Sequence, residues 1–99
     1  MTVRADLHNH SCLSPCGDLY ASPSAMAARA RERGIDLMAL TDHNSARNAP
    51  AFAEACRRQG LMALFGTETT SREEVHILSL FPDTDAARDW GEWVYARLP

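Results

Sequence analysis

The strongest constraint on this chain is a set of short apolar runs, residues 35–40 (IDLMAL), 61–65 (LMALF) and 75–81 (VHILSLF). Runs this short, closed by turn residues, suit strands buried in a sheet better than helices of ordinary length. Good helix formers lie around them. Ser22-Pro23 offers an N-cap with proline at the first helical position, residues 24–33 are rich in Ala, Arg and Glu, and Gly34 stands where a C-terminal cap belongs. Residues 50–59 give a second helix, closed by Gly60. Pro82-Asp83-Thr84-Asp85 opens a third, with acidic residues in its first turn, that runs to about residue 97. Residues 3–7 read as an opening strand and residues 11–21 as a loop. The order strand, helix, strand, helix, strand, strand, helix predicts an α/β fold on a largely parallel sheet.

Composition narrows the function classes. The chain has 99 residues, 45% hydrophobic and 23% charged, which is ordinary globular composition. One small domain of this size buries about 60–65% of its unfolded surface, so a large enclosed site is not easily built from it alone. The formal charge is -3 and the ten positive residues are all Arg, with no basic patch, so duplex nucleic acid is not an expected partner. Cys12, Cys16 and Cys56 make an odd number without a Cys-x-x-Cys pair. That argues against a disulfide framework and for a reducing cytoplasm. No apolar run approaches the ~20 residues that span a bilayer, so no membrane association is expected.

The metal-competent residues do not scatter. His8 and His10 follow the first strand, Asp42 and His43 the second, and Glu68 the third, while His76 lies at the start of the fourth. In parallel α/β folds function collects at the carboxyl ends of strands, where these residues would converge. His8 and His10 are two apart, so in an extended segment both rings share a face and can share a cation. Imidazole suits Zn, Mn and Fe, and a carboxylate such as Glu68 can bridge two ions. Plainer readings exist for each residue: a surface His-x-His pair, Asp42 capping a turn, a solvated Glu68, a satisfied core His76. Asp42 and His43 are neighbours and point to opposite faces, which makes His43 the ligand and Asp42 an orienting group or a ligand.

The motifs resemble those of the PHP domain, the polymerase and histidinol phosphatase superfamily. Asp6-Leu7-His8-Asn9-His10-Ser11 resembles its first motif, Leu40-Thr41-Asp42-His43-Asn44 its second and Gly66-Thr67-Glu68-Thr69-Thr70 its third. Val75-His76-Ile77-Leu78 resembles the histidine strand that follows, and Leu13-Ser14-Pro15-Cys16-Gly17-Asp18 resembles a subgroup of PHP phosphoesterases. The resemblance implies the first half of a distorted (β/α)7 TIM-like barrel, parallel strands with flanking helices, in one domain that stops short of the family's later ligands. It implies two or three divalent ions, Zn, Mn or Fe. His8, His10 and Glu68 would hold one, Glu68 would bridge to a second on His76, and His43 would serve a third. Cys16 stands where many members use a His or Asp; it is a candidate thiolate ligand or a buried thiol, with Asp18 as the fallback. Cys12 and Cys56 are read as structural.

The implied activity is hydrolysis of phosphoesters, with His8, His10, Asp42, His43 and Glu68 in the catalytic centre. Bound cations would lower the pKa of water toward ~7 and offset charge on phosphate oxygens, so no Ser or Cys nucleophile is needed. Expected substrates are phosphomonoesters, nucleotides or oligonucleotide ends. Two rivals stand beside this reading. A barrel amidohydrolase also opens with His-x-His, but the bridging Lys such enzymes use has no counterpart here. An incomplete PHP segment would bind metal without turnover, or a partner through an exposed sheet edge, and a second chain or a second copy would then complete the barrel.

Overall fold

A computed structural model describes residues 2–13 and 21–99. Its helices are α1 (Pro23–Glu32), α2 (Ala49–Gln59) and α3 (Thr84–Tyr95), and its strands are β1 (Ala5–Asp6), β2 (Leu37–His43), β3 (Met62–Thr70) and β4 (His76–Phe81). The caps read from the sequence are in place. The Ser22 side chain accepts from Ala25 N at 3.2 Å, and Gly60 closes α2 in the left-handed region. Asp83, read from the sequence as a first-turn acid, is the N-cap of α3 and accepts from Ala86 N at 2.8 Å, which leaves Asp85 as the acid of the first turn.

The described residues form a sheet in the order β1-β2-β3-β4. β1, β2 and β3 are parallel, as expected. β4 departs from the expected parallel set: it runs antiparallel to β3. The cause is the connection. Residues 71–75 form a tight turn in which Ser71 N donates to Val75 O and Glu74 N to Ser71 O, both at 2.9 Å. A crossover to a parallel strand needs a dozen residues or more. β2 and β3 also extend past their apolar runs, because backbone pairing continues through Asp42↔Thr67 and His43↔Glu68.

The core lies on one face of the sheet. Met38, Leu40 and Phe65 pack with Ala27, Ala30, Phe52 and Ala87 from the helices. Phe52 meets Phe65 edge to face at 6.2 Å between centroids. The alternate positions on β2 and β3 point the other way. They include His43 and Glu68, with Met62 and, on β4, Leu78 and Leu80 among the exposed hydrophobics. β4 was expected to be buried; as an edge strand it is largely exposed.

Candidate metal centre

His8 and His10 leave β1 on a segment that Asn9 staples to β2. Asn9 N donates to Thr41 Oγ1 at 3.1 Å, and Thr41 N donates back to Asn9 O at 2.8 Å. The Asn9 side-chain amide donates to Ala39 O at 3.0 Å and to Asp6 Oδ1 at 3.1 Å. With Asn9 turned toward the β2 backbone, the flanking imidazoles both reach Glu68. His8 Nε2 and His10 Nε2 each lie 2.7 Å from Glu68 Oε1.

Glu68 is the hub. It is 4% exposed, and β3 holds it beside His43 of β2, whose Nε2 is 3.6 Å from Oε1. The hairpin to β4 brings His76 Nδ1 to 2.6 Å from Oε2. The rings are packed against one another, with centroids 4.5 Å apart for His10–His43 and 5.8 Å for His43–His76. Burial alone would raise the Glu68 pKa, but hydrogen bonds from His8, His10 and His76 and the charge of His43 outweigh it and hold the carboxyl at about 2.

Asp42 lies on the opposite face from His43. It is 1% exposed, and its carboxylate accepts from Ser11 N at 2.6 Å and from Ser11 Oγ at 2.5 Å. Ser11 Oγ also accepts from Asn48 Nδ2, at the start of α2, at 3.0 Å. Asp42 thus anchors the segment that follows His10 to the helix layer. Neither Asn9 nor Ser11 and Asn48 was singled out by sequence. Asn9, enclosed by two histidines, carried a local signal; the Ser11–Asn48 contact spans 37 positions and carried none. Cys16 and Asp18 lie outside the described residues. Cys12 and Cys56 are free thiols, and burial pushes Cys56 up to about 11, as suits an inert packing residue.

The donor set fits a divalent cation. Ligand atoms of His8, His10 and Glu68 lie within 4.8 Å of one another. Two imidazole nitrogens and an ionised carboxylate oxygen, with further imidazoles alongside, form a set suited to Zn, Mn or Fe.

The family model of the PHP domain matches residues 6–89. The chain belongs to the PHP domain family. Relatives of this PHP chain include a 5'-3' exoribonuclease of Haemophilus influenzae, 31% identical over 81% of this chain and 29% of its own length. An error-prone DNA polymerase of Corynebacterium efficiens is 40% identical over 56% of this chain and 5% of its own. Among solved structures, an amidohydrolase from Chromobacterium violaceum, with bound sulfate and no metal, superposes with a TM-score of 0.74 at 31% identity. That match covers 95% of this chain and 33% of the other. A structure from Bifidobacterium adolescentis described as a metal-dependent phosphoesterase matches with a TM-score of 0.65 at 27% identity, covering 81% of this chain and 27% of the other. The PHP chain thus spans a third or less of the length of these proteins. No helix among the described residues is long and apolar enough to cross a membrane.

Proposed function

We propose that this PHP chain carries the first part of the catalytic centre of a metal-dependent phosphoesterase. The observation that carries the reading is the convergence of His8, His10, His43 and His76 on the buried carboxylate of Glu68. The relatives point the same way: one neighbour is described as a metal-dependent phosphoesterase, and another holds sulfate, an oxyanion of phosphate's shape. The names exoribonuclease and DNA polymerase favour nucleotides or oligonucleotide ends as substrates over other phosphomonoesters.

In this reading His8, His10 and Glu68 hold one ion, His76 a second and His43 a third. Glu68 turns Oε1 to His8 and His10 and Oε2 to His76, so its two oxygens face separate nitrogen groups, which is the disposition of a bridging carboxylate. Cys16 is the candidate for a further ligand, as a thiolate, with Asp18 as the fallback; a buried thiol is the other reading of Cys16. A divalent cation bound here supplies Lewis acidity to a phosphoryl oxygen and lowers the pKa of water toward ~7. Asn9 and Asp42 keep His8 and His10 aimed, so the donor set is preorganised before substrate arrives. We read the 99 residues as one domain that supplies the opening units of a distorted (β/α)7 barrel, with a phosphorylated small molecule or nucleotide as its ligand.

Metal analysis of the purified chain, paired with a phosphoester panel in added Mn or Zn, tests the proposal. His8→Ala and His10→Ala should abolish both bound metal and hydrolysis; undiminished hydrolysis in either would sink it. The similarity to a structure named as an amidohydrolase favours a second reading, which predicts amide hydrolysis in place of phosphoester hydrolysis.

A further inference from the structure

The antiparallel course of β4 has an effect at the site. α3 leaves β4 at the end where Phe65 pairs with Phe81, and so runs along β3 toward the carboxyl rim of the sheet. Its last turn therefore reaches the loop that follows β2. Gly91 makes the approach possible, since a Cβ there would lie 2.8 Å from Ala46 N. Beyond it, Glu92 grips Arg47 at two points, Nε–Oε1 at 3.0 Å and Nη2–Oε2 at 3.3 Å. The Arg47 guanidinium is stacked over the Tyr95 ring at 4.1 Å from its centroid.

Here a cavity of about 310 Å³ opens between the two elements. Its lining includes Leu13, Asn44, Arg47, Tyr95 and Leu98, and one wall is His43 itself. His43 is thus shared between this cavity and the cluster around Glu68, whose Oε1 lies 3.6 Å from its Nε2. The volume is at the small end of ligand pockets, which run from ~300 Å³. Leu13, Tyr95 and Leu98 are exposed apolar surface that a flat ligand would cover. Glu92 offsets the charge of Arg47, so the cavity is not tuned for a second anion. Held in one orientation against Tyr95, the guanidinium instead adds a planar surface on which a ring can stack.

We propose that this cavity is a leaving-group subsite that takes an aromatic or heteroaromatic ring whose phosphate is held at the histidine cluster. Arg47 and Tyr95 are its specificity residues. The inference rests on the phosphoesterase reading for the phosphate, but the ring contact is separately measurable. Direct binding of adenosine, ribose 5-phosphate and adenosine 5'-phosphate, with manganese present, separates the two.

Adenosine 5'-phosphate should bind at least tenfold more tightly than ribose 5-phosphate. Tyr95→Leu and Arg47→Ala should bring that ratio near one, and Tyr95→Phe should preserve it. Equal affinities in the unaltered chain, or a preference that survives both Tyr95→Leu and Arg47→Ala, would overturn the subsite and leave the phosphoesterase reading standing. Binding of adenosine with no gain from its phosphate would leave the subsite and remove the phosphoesterase reading. Binding of none of the probes would overturn both.

Discussion

At the scale of single residues the molecule turns on two buried carboxylates with different duties. Glu68 gathers imidazoles, which hold its pKa at about 2, whereas an unfolded glutamate titrates at ~4.3. The folded form therefore favours the ionised state. The resulting stabilisation is fully present above the unfolded value and is lost as pH falls from there toward about 2. Glu68→Gln should remove that part of the acid dependence, and comparing the pH slope of thermal unfolding for metal-free parent and variant checks it. Asp42 acts as an anchor. Asp42→Ala would strand the amide and hydroxyl of Ser11, which is 0% exposed. A cost of at least ~1–3 kcal/mol is expected, read as a lower denaturation midpoint, with weaker metal binding as His10 loses its support.

At the scale of elements the decisive feature is the β3–β4 hairpin. Gly66 lies where the strands meet so closely that an added Cβ would fall 1.7 Å from Ser79 O. Gly66→Ala should therefore part the strands, carry His76 away from Glu68 and remove hydrogen-exchange protection from β4 while β2 stays protected. The apolar run at 35–40 marks the buried start of β2, but β3 is most buried at residues 65–68, past most of the run at 61–65, in which Met62 is exposed. The runs missed the strand ends, where Asp42, His43 and Glu68 are held by ladder pairing and not by hydrophobicity. The direction of β4 was legible in principle, since residues 71–75 are too few for a crossover. The cluster itself was legible because its members sit in recurring motifs at strand ends. Arg47, Glu92 and Tyr95 were not, since Arg47 meets Glu92 across 45 positions and no local pattern marks the pairing.

At the scale of the whole molecule the core joins the helices to one face of the sheet, and the face that carries the cluster exposes Met62, Leu78 and Leu80. Apolar surface of this kind favours association. Sedimentation of the chain should show a concentration-dependent species that Leu78→Glu weakens, since that side chain lies on the uncovered face beside Glu68. The same long-range layout gives the Glu68 hub a mechanical meaning. His8 and Glu68 are 60 positions apart, and Cys12 and Cys56, the described cysteines, are unpaired. A cation gripping both residues would act as a removable clasp on a long loop, restricting the unfolded chain much as a covalent cross-link does. For a loop of this length the chain-entropy value is ~4 kcal/mol, so chelation and melting should be two views of one equilibrium.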